Sequence, residues 1–351
     1  MEHTIGDYSI IGKPLGSGGM ATVYKVKDSK GKIFAAKVLH AHLNTDRKLI
    51  QRFKQEYEIG KKLSHPAFVK NHEMFKHAGS WTIIMDFIPG LTLQKVLSKT
   101  FPSEQQATAI VAELALALDF FHKAQLVHRD LKPDNIILDD KGKIIIMDYG
   151  ITRQLSNQMT KTGTAIGTPV YMAPEQIMNS KSTDKRCDLY SIGLIYFRLL
   201  TKRDAHGMSS NSDLYAMIEA RHKKSVRNIK DLQDQAIRPI IENCLLPNPE
   251  QRYDDCQALY QDLTHTKSFS KSRNKVIKSL IADFNTKKTP KTKAKPNAKT
   301  TVIRKKQGKD RPKLAIIAIS LALITGLAIA AAIYFIGFEE LIRISKDALN
   351  K

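Results

Sequence analysis

Gly16-Ser17-Gly18-Gly19-Met20-Ala21-Thr22-Val23 is a glycine-rich turn set between two strand-like stretches. Glycines let such a hairpin close over phosphate groups with its backbone N–H groups turned toward them. The same composition also serves plain turns, so the segment points to phosphate chemistry only in company. Fourteen residues past Val23, Lys37 sits in the strand-like Ala35-Ala36-Lys37-Val38. Further on, His128-Arg129-Asp130-Leu131-Lys132-Pro133-Asp134-Asn135 gathers an imidazole, a guanidinium, two carboxylates, an ammonium and a carboxamide in eight residues. Asp148-Tyr149-Gly150 begins thirteen residues after Asn135, and Ala173-Pro174-Glu175 follows.

The elements around these residues are those of an ordinary globular protein. The 351 residues are 42% hydrophobic and 26% charged, enough apolar side chain for a sizeable core. The net charge is +22, but it is concentrated: residues 265–313 hold 17 Lys or Arg against 2 Asp or Glu. The first 264 residues are only mildly basic, so a nucleic-acid-binding domain is not required by the overall charge. Leu314 to Phe338 is a run of 25 residues without a charged side chain. As a helix it spans ~37 Å, more than the ~30 Å of a bilayer's hydrocarbon core, which predicts a single membrane span. The opening MEHTIGDY is acidic and polar, unlike a signal peptide. The 3 cysteines lack metal-ligand spacing and suit a reducing compartment. Secreted disulfide proteins, multi-span transporters and coiled-coil rods are excluded.

Between Tyr8 and Ile88, β-branched and aromatic runs alternate with Gly, Asp and Lys turns, interrupted at 46–63 by a helical pattern of Leu49, Phe53, Tyr57 and Leu63. This predicts a five-stranded sheet with one helix. After Pro89-Gly90 the chain reads mainly as helix. Ser103 with Gln106 forms a capping signal for a helix to Lys123. Two short strands, NIILDD and KIIIMD, meet at Lys141-Gly142. Further helices are expected over 188–200, 213–221, 233–244 and 256–264. Residues 285–313 are too polar to offset their ordering entropy and read as disordered.

The segment from His128 to Asn135 matches H-R-D-L-x-x-x-N at every fixed position. With Asp148-Tyr149-Gly150 and Ala173-Pro174-Glu175 in order, residues 8–264 resemble the eukaryotic-type (Hanks-type) protein kinases, and among them the bacterial membrane-anchored serine/threonine kinases. The resemblance implies an α+β, bilobal protein-kinase-like fold. Residues 1–88 would be a β-rich N-lobe and 89–264 a helical C-lobe. A basic disordered juxtamembrane linker (265–313), a transmembrane helix (314–338) and a short extracytoplasmic tail (339–351) would follow. It implies ATP and Mg²⁺ as cofactors, with Mn²⁺ able to replace Mg²⁺, and transfer of the γ-phosphate to protein Ser/Thr hydroxyls.

By the same resemblance, Asp130 looks like the base that accepts the substrate hydroxyl proton. Lys132 would reach the γ-phosphate, and its presence favours Ser/Thr kinases. Asn135 and Asp148 would hold the metal ion. Lys37 would hold the α- and β-phosphates, paired with Glu56, while Glu58 faces away. Leu15, Gly16, Ser17, Gly18, Gly19 and Val23 would lie over the nucleotide, with Ala36 also covering the adenine ring. Met85 would close the back of the adenine pocket, and Asp86, Phe87 and Ile88 would be the hinge. Asp188 would brace the catalytic loop, Arg252 would pair with Glu175, and Thr168 would brace Asp130 and Lys132.

The chain departs from the family pattern at Ala21, where a third glycine is usual, and at Tyr149, where phenylalanine is usual. Neither removes a catalytic group, although a buried tyrosine hydroxyl needs a partner. By the resemblance, family members with an arginine at the Arg129 position are commonly activated by phosphorylation of the loop that here carries Thr160, Thr162 and Thr164, with Thr162 the best match to the principal site and exchange between two molecules the expected route. The competing reading is a membrane-tethered kinase-like scaffold without phosphotransfer; the presence of Lys37, Asp130, Asn135 and Asp148 tells against it. A nucleic-acid-binding tail is disfavoured because 285–313 contains no aromatic side chain to stack on bases. The expected partners are protein substrates, a second copy of the chain, and membrane lipid near Arg304-Lys305-Lys306. Lys/Arg excess before the span places the kinase region in the cytoplasm and 339–351 outside a bacterial inner or plasma membrane. Those thirteen residues are too few for the repeated cell-wall-binding modules that relatives often carry there.

Overall fold

The computed structural model describes residues 4–149, 169–178, 183–203 and 234–286. The expected helix at 213–221, the three loop threonines, Thr168, and the linker and span beyond 286 lie outside them.

The N-terminal sheet contains β1 (Thr4–Ile5), β2 (Tyr8–Ile10), β3 (Gly16–Ser17), β4 (Ala21–Lys27), β5 (Ile33–Leu39), β6 (Asn71–His77) and β7 (Ser80–Asp86). The order is β1-β2-β4-β5-β7-β6, with β3 paired to β4 and every pairing antiparallel. This corrects the expected five strands to seven. β1 and β3 are two residues each, too short to carry an alternating pattern. The β4–β5 turn is shaped by Asp28, whose carboxylate accepts from the N–H groups of Lys30 and Lys32 at 2.9 and 2.8 Å.

Helix α1 (Arg47–Lys62) crosses the sheet. Asp46 caps it, accepting from the N–H groups of Lys48 and Leu49, and its inner stripe is Leu49, Phe53, Tyr57 and Gly60. Phe53 and Tyr57 of that stripe pack into a cluster with Ala35, Leu39, Ile83 and Met85.

The second half is helical: α2 (Leu93–Leu97), α3 (Glu104–Lys123), α4 (Pro174–Met178), α5 (Arg186–Thr201), α6 (Ile237–Cys244), α7 (Cys256–Thr264) and α8 (Arg273–Thr286). The capping box expected at Ser103 and Gln106 is present. Most of α3 and α5 is buried, as central core helices must be. A small antiparallel sheet, β8 (Gly90–Thr92), β9 (Ile136–Asp139) and β10 (Ile144–Ile146), lies within this half, and β9 begins directly after Asn135 of the catalytic loop. β8 was hidden from sequence reasoning because Pro89-Gly90 reads as a break. The cysteines Cys187, Cys244 and Cys256 are free and buried.

Helix α8 corrects the expected linker, which was to begin at 265. Ile277, Leu280 and Phe284, at helical spacing among lysines, are buried against the C-lobe core. Arg273 pairs with Glu113 of α3 at 2.5 Å, and the Gln106 amide donates to Ser279 and Asp283. Gly142, with φ of 80°, lets the β9–β10 turn touch the start of α8: a Cβ there would sit 2.0 Å from the Asn274 carbonyl oxygen. Residues 265–286 thus belong to the folded unit and not to the linker.

Candidate active site

Lys37 projects from β5 into the cleft, where its ammonium lies 2.5 Å from Glu56 of α1 and 2.7 Å from Asp148. Lys37 is only 12% exposed, Glu56 19% and Asp148 32%. Burial alone would drive the lysine toward neutrality, but the two carboxylates reverse this and raise its pKa. Asp148 is held below the usual carboxylate range: burial works against its charge, and Lys37 prevails. Glu56 goes the other way, raised by burial and by sharing one ammonium with a second carboxylate. Glu58 is exposed, two positions round the helix.

The catalytic loop brings the other polar groups together. Lys132 is 3.0 Å from the Asp130 carboxylate, and the Asn135 amide donates to the Asp130 carbonyl at 2.8 Å and to its carboxylate at 3.1 Å. Arg129 and Asp148 both take left-handed backbone conformations, φ 62° and 57°, rare for such side chains and held here by surrounding bonds. Asp188 of α5 holds the first: fully buried, it accepts from the N–H groups of His128 and Arg129 and from His122, each at 2.8 Å. Burial opposes its charge, yet these bonds keep its carboxyl below the usual range. Arg252 clamps Glu175 through two nitrogens, at 2.7 and 2.8 Å. Arg129 also donates to the Thr183 carbonyl. His122 and Gln176, which joins the Ala173 N–H to the Arg129 carbonyl, were missed from sequence because nothing in their spacing marks them.

The glycine-rich turn is a hairpin. Gly16 and Ser17 pair with Val23 and Thr22, Gly18 donates to the Ala21 carbonyl at 2.9 Å, and His40 meets the Gly18 carbonyl at 2.9 Å. Leu15 is exposed, as are Gly16, Ser17, Gly18 and Gly19. Val23 stands opposite Lys37, so both share one sheet face. Ala35 stands opposite Met85 on that same face. The expectation for Ala36 is therefore wrong. It faces the other side, packed with Val26, Phe34 and Ile84, because adjacent strand residues point in opposite directions. Ala35 is the alanine beside Lys37, Val23 and Met85. Met85 is buried, Asp86, Phe87 and Ile88 are half-buried, and Asp86 is fixed by His72 at 2.7 Å.

The donor set suits a hard cation with few protein ligands. Among the described residues no cluster of three or more His, Cys, Asp or Glu could hold a metal. Asp148 and Asn135 offer one carboxylate and one carboxamide. Asn135 spends its NH₂ on Asp130, which leaves the amide oxygen as its acceptor end. Mg²⁺ commonly takes one or two such groups and completes its shell with water and phosphate oxygens.

Residues 9–264 match the protein kinase domain family. Curated relatives include a probable serine/threonine-protein kinase PknB of Lactococcus lactis, 30% identical over 272 residues, covering 75% of this chain and 42% of that protein. Serine/threonine-protein kinase PrkC of Bacillus subtilis is 30% identical over 262 residues, covering 74% and 40%. The chain thus spans about two fifths of the length of these relatives. The crystal structure of the Mycobacterium tuberculosis PknI kinase domain superposes with a TM-score of 0.58 at 24% identity, over 75% of this chain and 97% of that one. The shared two-lobed architecture, the Lys37–Asp148 ion pair across the cleft and the match over residues 9–264 lead to one conclusion: this chain belongs to the protein kinase domain family.

Proposed function

We propose that the chain is a serine/threonine protein kinase. The observation that carries this reading is the Lys37 ammonium seated between Glu56 and Asp148, with Asp130, Lys132 and Asn135 bonded to one another in the loop beneath. The names of the relatives point the same way. A scaffold that does not transfer phosphate would have no need to keep all six groups.

Bound ATP with Mg²⁺ would supply the transferable phosphoryl group. Lys37 would hold the α- and β-phosphates, its own position set by Glu56. Asp148 and Asn135 would hold the cation. The Asp130 carboxylate would accept the proton of the incoming Ser/Thr hydroxyl, and Lys132, tied to it, would offset negative charge at the γ-phosphate. The hairpin of Leu15 to Val23 would cover the phosphates, with adenine against Val23 and Ala35 on one side of the cleft and against the hinge.

The reading extends to the membrane on sequence grounds. Among the described residues no helix is long and apolar enough to cross a bilayer. Residues 314–338 are proposed as the span, with the kinase cytoplasmic. The basic stretch around Arg304-Lys305-Lys306 would lie on anionic lipid, each charge contributing roughly 1 kcal/mol. Activation by phosphate on Thr162, with Thr160 and Thr164 as further sites, would follow between neighbouring molecules in one membrane.

The test is the full chain incubated with Mg-ATP, with phosphosites read by mass spectrometry and Asp130→Asn as control. Phosphoserine or phosphothreonine on the wild type and none on the variant is expected. No transfer by the wild type, with nucleotide still bound, would establish the scaffold. Protease added to intact cells should spare residues 1–310; digestion of the kinase domain would overturn the topology.

A further inference from the structure

The residue that follows Asp148 is a tyrosine, and its hydroxyl is not idle. Tyr149 is 5% exposed, stacks on Phe121 at 5.8 Å, and donates to the Val69 carbonyl at 2.5 Å. Two residues along the same segment, Asn71 is 4% exposed, and its NH₂ donates to the carbonyls of Glu56 at 3.0 Å and Tyr57 at 3.3 Å. Carbonyls in the middle of a helix already accept one helical bond, so Asn71 uses their second lone pair as a bracket on α1. Gly60 makes the arrangement feasible. A Cβ there would sit 2.3 Å from the Asn71 nitrogen and 3.1 Å from the Tyr149 ring. The segment is itself anchored: Phe68 bridges to Ile146, Ile146 donates to the Ala67 carbonyl, and Val69 donates to the Ile146 carbonyl.

We infer that Asn71 and Tyr149 are positioning residues: through one short segment, Val69–Asn71, they fix Glu56 and Asp148 relative to each other so that both carboxylates meet Lys37. One bond grips α1 at the residue that pairs with the lysine. The other grips the neighbour of Asp148. Neither side chain touches the reacting groups; each acts through the carboxylate it places. The inference rests on the kinase reading for its activity readout, and on geometry alone for its exchange readout.

Two variants of the full chain test it. Tyr149→Phe deletes one oxygen and keeps the ring stack; Asn71→Leu keeps the branched shape and deletes the donor. Tyr149→Phe removes one buried hydrogen bond and Asn71→Leu two, so kcat should fall about three- to tenfold, while KM for ATP moves less than about twofold. Amide hydrogen exchange should quicken locally, within 144–149 for Tyr149→Phe and within α1 for Asn71→Leu. Gly60→Ala should reproduce both exchange signatures. Unchanged kcat, or exchange that quickens evenly across the domain in step with a lower thermal midpoint, would reduce both side chains to core filling and overturn the inference. If the wild type transfers no phosphate, the activity reading fails; local exchange still decides the positioning role, since faster exchange confined to those segments upholds it and its absence sinks it.

Discussion

Ala35 stands directly opposite Met85 where β5 pairs with β7, on the sheet face that carries Lys37. The two neighbouring alanines of β5 therefore answer different questions. Ala35→Leu should crowd the adenine side and raise KM for ATP about tenfold. Ala36→Leu should leave KM near the wild-type value and overpack the opposite core, costing about 1–3 kcal/mol of stability. Steady-state kinetics and thermal melting of the two variants separate the effects; a KM rise confined to Ala36→Leu would contradict the register.

Lys37→Met removes the ammonium and leaves Glu56 and Asp148 facing each other without it. Turnover should fall by about 10²-fold or more, as should that of Asp148→Asn. A fluorescent nucleotide titration should show weaker binding for Lys37→Met, and the Asp148→Asn defect should ease at high Mg²⁺.

The Arg252–Glu175 clamp is a buried pair; the arginine side chain is 0% exposed. Removing one partner strands the other, which typically costs about 3–5 kcal/mol. Glu175→Ala and Arg252→Ala should both lower the denaturation midpoint strongly, and Arg252→Lys should rescue little, because a lysine cannot also reach the carbonyls of Leu246, Pro247 and Arg186. Urea titrations with the two single variants and the double variant measure the coupling.

His128 is buried, which lowers its pKa from 6.5 even though Asp188, Asp130 and Asp148 pull the other way. Its Nδ1 accepts from the Asp130 N–H, and Nε2 faces the Met147 carbonyl, so the neutral ring fits both bonds. A group with a folded pKa below its unfolded one stabilises the fold above the unfolded value, and that contribution is lost as pH falls. Stability should thus decline from about pH 6.5 downward. His65, also lowered by burial, contributes in the same direction. His128→Phe should flatten part of the slope in melting curves between pH 7.5 and 5.5; an unchanged slope would show that His128 is not the source.

Docking of α8 should be measurable as stability. Leu280→Ala is expected to cost about 2–5 kcal/mol, the usual range for a buried leucine. Gly142→Ala should cost more than an exposed turn glycine, since it meets both a positive φ and the Asn274 backbone. If a chain ended at Thr264 melts at the same temperature as one ended at Thr286, α8 contributes nothing.

Much of this site was legible because phosphoryl transfer needs several polar groups at fixed chain spacing. His128 to Asn135 and Asp148 lie on one local stretch, so sequence alone displays them. Glu56 was placed by the family resemblance, and helical phase set Glu58 aside. Ala36 was misplaced although the two-residue period of a strand already forbids it to share a face with Lys37. Asn71, His122 and Gln176 act through contacts across 14 to 66 residues of chain, which no local pattern encodes. In α8, three apolar residues among lysines gave too weak a signal against the basic composition around them. The expected roles of Thr160, Thr162, Thr164 and Thr168 fall outside the described residues.

All three thiols of the chain are sealed in the C-lobe core, with burial raising the pKa of each and that of Cys244 to about 12. Such sulfurs are poor nucleophiles and out of reach of oxidants while the lobe stays closed. An electrophilic inhibitor that needs a cysteine would find no foothold around this nucleotide cleft. The same silence makes the thiols a clock: alkylation can proceed only when the lobe opens, so the rate at which iodoacetamide consumes them reads out how often it does.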